Sequence, residues 1–278
     1  MPLIKAESTK DSHVDTLQQT RTQGSIQIPA DLLEQLYLSP ETRVKGRLRQ
    51  TFGNPTPVAL GGFLVCASAH SMTLLGWQGA SGLGGANLGC FLYVGGAIQF
   101  LGAIGEWVLG NTFSTVVFFT FGGFWLTYAT AINPNSGASA EYSPNPHNPA
   151  LGLSEPGFFA TFGFFLVAMT LVIFFFAIAS VRTNLVFFTV FLTLIPTVAC
   201  LSAAFFALAH GDAATAATCE HVGGGLLLAV AFLGWYIFLS LLLLSVDFPI
   251  RLPMGDLSTR IQGFNQRQKA HSNPEESV

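Results

Sequence analysis

The stretch FGNPTPVALGGF, residues Phe52–Phe63, places an asparagine and two prolines directly ahead of a long apolar run. Proline suits the first turn of an α-helix, because its φ is already helical and its missing N–H would have no partner there. The apolar run extends roughly from Pro57 to Trp77, close to the length of about 20 residues that a helix needs to cross a bilayer. The stretch therefore predicts the start of a first membrane-spanning helix.

The composition of the whole chain agrees with a membrane protein. Of its 278 residues, 50% are hydrophobic and only 10% are charged, whereas a soluble domain carries about 25% charged residues. We predict an all-α membrane protein with a six-helix domain over residues 51–250, an amino-terminal tail over residues 1–50 and a carboxyl-terminal tail over residues 251–278. Five further runs of spanning length follow the first, roughly Ala86–Val108, Thr112–Ile132, Gly157–Val181, Asn184–Ala209 and Val222–Val246.

The basic residues indicate the orientation of the helices. All 12 Lys and Arg lie in residues 1–49, at Arg182 or in residues 251–269. With six spans these three regions share one face, so the positive-inside rule predicts that both termini are cytoplasmic. No cleavable targeting peptide is evident. Both tails are predicted to be mostly disordered, although Ala30–Leu38 suits a short helix on the membrane surface.

Polar residues within the predicted spans are candidates for function. Gly95, Gln99, Gly102 and Glu106 share one face of the second helix, because their spacing is helical. Glu106 either binds protons at the cytoplasmic mouth of a path or reaches the lipid headgroups as an interfacial residue. His70, in the first helix, is either a titrating gate or a neutral packing residue.

Small residues and polar loops add weaker predictions. Gly85 and Gly89 form a GxxxG pair, which favours close helix packing in lipid. The segment HGDAATAATCEH, residues 210–221, reads as an outer loop that collects His, Asp, Cys and Glu side chains. Their spacing matches no closed zinc site, and a pH-sensing vestibule is the better reading. No catalytic triad, cofactor motif or metal site is evident, so we predict no enzyme, no catalytic residue, no cofactor, no metal and no nucleic-acid partner.

A second, shorter version of the opening motif precedes the fourth predicted helix. It reads NPALGLSEPGFF, residues Asn148–Phe159. In the six-span arrangement the two motifs enter the membrane from opposite faces. This is the pattern that an inverted repeat of three plus three helices leaves behind, with a substrate path between the halves.

Three long motifs resemble one known family, the acetate uptake transporters, over about residues 52–258. They are GNPTPVALGGF (53–63), YVGGAIQFLGAIGEWVLGNTFSTVVFFTFGGFWLTYA (93–129) and GWYIFLSLLLLSVDFPIRLPMGDLS (234–258). The family includes bacterial acetate–succinate/proton symporters and fungal acetate or ammonia-export proteins. The last motif, with GWQGA at residues 76–80, is similar to the fungal branch.

The resemblance implies a homohexamer in a lipid bilayer, with the plasma membrane as its site and a path for a small carboxylate and protons in each protomer. The family's path narrows at a constriction of Phe, Tyr and Leu, and these positions fall on Phe63, Phe121 and Val190. Relative to the family residues, Phe121 lacks the hydroxyl of the tyrosine and Val190 lacks one methylene of the leucine. We expect these differences to change which solutes the path accepts.

We expect an acid to pass this constriction more easily than its anion, because an unpaired charge is costly in an apolar site. Glu106 and His70 are the candidates for proton transfer or gating. The polar side chains expected to hold the carboxyl group are Asn54, Ser71, Thr73, Gln99 and Thr120. The alternatives are a channel for ammonia or another neutral solute, and a membrane sensor that transports nothing.

Overall fold

The computed structural model describes residues 51–257 of the chain. It contains six helices that are long and apolar enough to cross a membrane, which confirms the predicted all-α fold with six spans. They are α1 (Thr56–Leu74), α2 (Cys90–Val108), α3 (Thr112–Ile132), α4 (Pro156–Ser180), α5 (Leu185–Ala209) and α6 (Ala213–Ser245). The predicted surface helix at Ala30–Leu38 lies outside the described residues.

The opening motif starts α1 in the way that its residues suggest. Thr56 is the first residue of the helix and Pro57 follows in the first turn. The backbone N–H of Thr56 donates to Oδ1 of Asn54 at 3.0 Å. This bond satisfies one of the donors that a helix start leaves without an intrahelical partner.

The helix α2 begins with a π-helical segment, Cys90–Ile98, and continues as an α-helix over Gln99–Val108. Its glycines bring it close to both neighbours. A Cβ on Gly102 would lie 2.6 Å from the backbone nitrogen of Ala59, and one on Gly95 would lie 2.7 Å from Cγ of Trp125. Close approach of this kind is the usual basis of helix packing in lipid.

The predicted GxxxG contact does not occur within the described part of the chain. Gly85 and Gly89 precede α2, and a Cβ added at either would meet nothing within 4 Å. Gly85 lies in the segment Gly82–Asn87, a distorted 3-10 helix that ends before α2 begins. A GxxxG face requires continuous α-helical spacing from the first glycine to the second, and this spacing is absent between Gly85 and Gly89.

The prediction of an outer loop at residues 210–221 is wrong. The helix α6 starts at Ala213, nine residues before the predicted start at Val222. The alanine-rich sequence after Asp212 has high helix propensity, and Oδ1 of Asp212 caps it by accepting from the N–H of Thr215 at 3.0 Å. The same contact with Thr215 lowers the pKa of the Asp212 carboxyl. In the described residues no group of three or more His, Cys, Asp or Glu could hold a metal ion.

The six helices follow one another around a ring. Backbone contacts join α1 to α2, α2 to α3, α4 to α5, α5 to α6, and α6 back to α1. The helices α3 and α4 meet through aromatic side chains. Phe121 and Phe176 have ring centroids 6.3 Å apart, and Tyr128 and Phe162 have centroids 5.9 Å apart. The centre of the ring is where a path through the protein would run.

The start of the carboxyl-terminal tail packs on the turn between α4 and α5. The N–H of Leu185 donates to the carbonyl of Gly255 at 2.7 Å, and the N–H of Leu257 donates to the carbonyl of Thr183 at 3.1 Å. Met254 is buried with them. These contacts attach the described part of the tail to the first turn of α5.

Candidate functional site

Two small cavities lie inside the ring of helices, each with a volume of about 30 Å³. We name them the Gln99 cavity and the His70 cavity, each after one polar residue of its lining. A cavity of this size has room for about one water molecule. A solute much larger than water therefore needs side chains to move before it can enter either cavity.

Phe63, Phe121 and Leu194 line both cavities and separate them. We call these three residues the central constriction. The rings of Phe63 and Phe121 meet edge to face with centroids 5.1 Å apart, an arrangement that aromatic pairs prefer. Val190, expected at the constriction, lines the Gln99 cavity. Leu194 lies one helical turn after Val190 on α5, and it was not among the residues predicted from the sequence.

Gln99 is the one polar residue among those that line the Gln99 cavity. It is fully buried, and neither Oε1 nor Nε2 of its amide has a hydrogen-bond partner in the described protein. An unpaired buried amide costs about 1–3 kcal/mol.

The other polar candidates do not line either cavity. Asn54 caps α1, and Thr120 is partly buried on α3. The hydroxyl of Ser71 donates to the carbonyl of Ser68 at 2.8 Å, and that of Thr73 donates to the carbonyl of Ala69 at 2.9 Å. Such local bonds from Ser and Thr to a preceding carbonyl are common in helices, and they occupy the groups that were expected to face a solute.

Glu106 lies at the end of α2, fully buried. Its Oε1 accepts from the hydroxyl of Thr56, and its Oε2 accepts from the amide of Asn111. Because these residues belong to the start of α1 and to the turn before α3, the carboxyl group ties three helix ends together. Its complete burial does not fit the alternative of a side chain that extends to the headgroups. Glu106 and Gln99 are one heptad apart, or about 10 Å along the axis.

His70 lines the second cavity and is only 4% exposed. Its ring contacts the rings of Phe91, Trp125 and Tyr128, with centroids 5.6, 6.0 and 4.9 Å away. Its Nδ1 has no hydrogen-bond partner among the described residues, and the same is true of Nε1 of Trp125, which lines the same cavity. Trp125 was not among the candidates predicted from the sequence.

Residues 37–259 match the GPR1/FUN34/yaaH family. The chain belongs to this family. Protein alcS from Aspergillus fumigatus is 39% identical over 234 residues, which cover 84% of this chain and 86% of that protein. Ammonia transport outward protein 2 from Saccharomyces cerevisiae is 30% identical over 185 residues, which cover 66% of this chain and 60% of that protein.

A solved member of similar fold is described as the bacterial acetate channel SatP. It superposes with a TM-score of 0.54 at 25% identity, covering 73% of this chain and 99% of SatP. The GPR1/FUN34/yaaH assignment and this likeness confirm the resemblance read from the sequence motifs. They also agree with a multi-pass membrane protein.

Phe121 and Val190 are the two positions at which this GPR1/FUN34/yaaH chain departs from the pattern that the resemblance implies. The position of the expected tyrosine is Phe121, which lines the Gln99 cavity. A phenylalanine ring has no hydroxyl to donate to or accept from the amide of Gln99.

Proposed function

We propose that the protein is a membrane transporter or channel for small monocarboxylates, with acetate as the first candidate and succinate or a related acid as further ones. The observation that carries this proposal is an apolar constriction between two cavities, each lined by a buried polar side chain without a partner. The likeness to the acetate channel SatP supports it.

Proton coupling is part of the proposal. The Gln99 cavity has one polar lining residue and no charged one, so an anion would cross the constriction without a compensating charge. Because an unpaired carboxylate is far more costly to bury than its neutral acid, the solute crosses as the acid or together with a proton. Glu106, buried one heptad from Gln99, is the proposed proton site on that side of the path.

We further propose that both termini are cytoplasmic, that the protein resides in the plasma membrane and that it assembles as a homohexamer. The distribution of Lys and Arg supports the orientation. Large apolar side chains on α2 point away from the ring, with Tyr93 70% and Trp107 69% exposed. In a membrane this face of α2 contacts lipid or a neighbouring protomer.

We also propose that α1–α3 and α4–α6 form an inverted repeat.

A channel for ammonia or another neutral solute is the second candidate. The similarity to a yeast protein named for outward ammonia transport favours it. A closed, mostly apolar path also suits a small neutral molecule, because such a molecule carries no charge to desolvate. A sensor that transports nothing is the third candidate.

Flux measurements in proteoliposomes separate the three candidates. Purified protein is reconstituted, a pH gradient is imposed, and uptake of labelled acetate is followed beside protein-free liposomes. Saturable uptake that depends on the gradient supports the carboxylate transporter. Flux of ammonia that is insensitive to acetate supports the neutral-solute channel, and the absence of both fluxes supports the sensor.

A further inference from the structure

The described start of the carboxyl-terminal tail completes the first turn of α5. We call residues 253–257 the strap. The N–H of Leu185 donates to the carbonyl of Gly255 at 2.7 Å. The N–H of Val186 donates to the carbonyl of Met254 at 3.4 Å. These N–H groups are among the four that the start of a helix leaves without an intrahelical partner. The strap thus supplies acceptors that α5 itself lacks.

The strap is also bound to α6. The hydroxyl of Tyr236 donates to the carbonyl of Pro253 at 2.8 Å. Tyr236 lies well before the end of α6 at Ser245, about 13 Å away along the helix axis, so the chain after α6 turns back along the bundle. The side chain of Met254 is buried and packs in the apolar core. The strap therefore connects the first turn of α5 to a side chain of α6.

One glycine allows the strap to lie this close to α5. Gly255 has a φ of +68°, a backbone conformation that glycine adopts readily and other residues rarely do. A Cβ added to Gly255 would lie 2.9 Å from the Cβ of Leu185. A larger residue at this position would therefore both strain the strap and push it away from α5.

The points of attachment lie beside residues that line the path. Phe187 follows Val186 in the sequence and lines the Gln99 cavity, and so does Ile237, which follows Tyr236. Widening the cavity at this end requires the first turn of α5 to move away from α6. The strap opposes that movement, because it is bonded to both helices.

We propose that the strap is an autoinhibitory contact, which must release α5 before a solute can pass through the Gln99 cavity. This inference rests on the proposed function and adds regulation of the path to it. The contacts suit reversible release, because a single hydrogen bond adds little net stability and no helix has to unfold when they break. The start of the tail thereby controls the path that the six helices enclose.

A disulfide across the strap tests whether release is needed. Asn184 and Asp256 pair in antiparallel register. The hydrogen bonds on either side of this pair run between its neighbours, so the two residues form a non-hydrogen-bonded pair, whose Cα atoms typically lie about 4.5 Å apart. That separation suits a disulfide. Uptake of labelled acetate into proteoliposomes is measured for the full-length double variant Asn184→Cys/Asp256→Cys, oxidised and after reduction, beside each single variant.

We expect uptake by the oxidised double variant to fall on the order of tenfold or more, because a covalent link removes the released state, and to recover on reduction. Each single variant should respond to neither treatment. Asn184 caps α5 through its Oδ1, so the two redox states of one variant are compared, and both lack this cap. Equal uptake in the two states, with the disulfide verified by mass spectrometry, overturns the proposal. If the disulfide does not form, the variants that weaken the strap decide.

Weakening the strap should have the opposite effect. Tyr236→Phe removes the hydroxyl that bonds to Pro253. Tyr142→Phe is the matched control, because its hydroxyl bonds to Thr161 at 3.1 Å, at the opposite end of the bundle. We expect the maximal rate of acetate uptake to rise about two- to tenfold in Tyr236→Phe, the shift in equilibrium expected from one lost hydrogen bond. The rate of Tyr142→Phe should equal that of the wild type.

A second pair of variants displaces the strap from the side of α5. Gly255→Ala should also raise the maximal rate. Gly211→Ala is its control, because Gly211 has a φ of +75° and an added Cβ would meet none of the described atoms within 4 Å. Both variants strain the backbone, so both should melt at lower temperature, but only Gly255→Ala should transport faster.

The outcomes separate the strap from the proposed function. Maximal rates at or below the wild-type rate in both Tyr236→Phe and Gly255→Ala overturn the autoinhibitory contact, while acetate uptake by the wild type keeps the proposed function. If the wild type carries ammonia and not acetate, the carboxylate proposal is wrong, and the same comparisons on ammonia flux decide about the strap. Absence of both fluxes overturns both.

Discussion

The rings of Phe63 and Phe121 meet edge to face with centroids 5.1 Å apart, and both line the two cavities of the central path. One ring comes from α1 and the other from α3. Contact between the rings keeps the two cavities separate. The pair is therefore the first target for testing the proposed constriction by mutation.

Replacing Phe63 with Ala should widen the constriction and admit acids larger than acetate. Truncating a buried Phe to Ala usually costs about 3–5 kcal/mol of stability, so melting temperature is measured beside uptake of labelled acids of increasing size. Phe164→Ala is a suitable control, because Phe164 is 67% exposed on α4. An unchanged substrate profile in Phe63→Ala would place the constriction elsewhere.

Replacing Phe121 with Tyr should change which acids are taken up. The new hydroxyl would lie between the two cavities, one of which has Gln99 as its one polar lining residue, and a hydroxyl is both a donor and an acceptor. Pairing with the amide would occupy groups that the wild type leaves free for the solute. We expect a change in the ratio of acetate to succinate uptake, measured as competition in proteoliposomes, and an identical ratio would contradict the assigned role of Gln99.

Replacing Gln99 with Leu should lower acetate uptake without lowering stability. The cavity around Gln99 is otherwise apolar, and exchanging an unpaired buried amide for an apolar side chain of similar size removes a desolvation penalty. We expect uptake to fall on the order of tenfold while the melting temperature stays equal or rises. Gln78→Leu, at an exposed residue outside both cavities, is the matched control.

Replacing Glu106 with Gln tests the proposed proton site. Both carboxyl oxygens of Glu106 accept hydrogen bonds, from Thr56 and Asn111. The oxygen of the Gln amide can still accept from Asn111 and its NH₂ can donate to the hydroxyl of Thr56, so both contacts can persist, but no proton can be exchanged there. We expect acetate uptake to lose its dependence on the pH gradient. Uptake that remains fully gradient-dependent would remove Glu106 from the coupling mechanism.

Replacing Gly102 with Ala should destabilise the contact between α1 and α2. The added Cβ would lie 2.6 Å from both the backbone nitrogen and the Cβ of Ala59, so the helices must separate. Overpacking of this kind costs about 1–3 kcal/mol. Gly89→Ala is the control, because its Cβ would meet nothing within 4 Å. Equal melting temperatures for the two variants would contradict the close approach.

The helices could be predicted because apolar length is a property of each segment by itself. The start of α1 could also be predicted, since Asn54 and Pro57 act through local backbone geometry. The early start of α6 was missed, because the residues after Asp212 are helical by propensity and capping but not apolar enough to read as part of a span. Helix propensity and capping act only over the neighbouring helical turns.

The site was predicted less completely, because membership of a cavity depends on how separate helices pack. Phe63 was implied by the family resemblance and Gln99 was chosen by its helical spacing, but Leu194 and Trp125 look like ordinary core residues in the sequence. Their places in the cavity lining follow from contacts between helices that no single segment specifies. Ser71 shows the opposite case, since its hydroxyl is occupied by a carbonyl of its own helix.

Buried polar atoms without partners also bear on how the purified protein behaves in solution. Gln99, His70 and Trp125 each have at least one such atom within the described protein, which makes the fold less stable than it would be with those atoms satisfied. A molecule that binds the native state and not the unfolded chain raises its stability by mass action. The transported solute is thus expected to act as a thermal stabiliser of the purified protein, so a melting-temperature screen can identify it before any flux is measured.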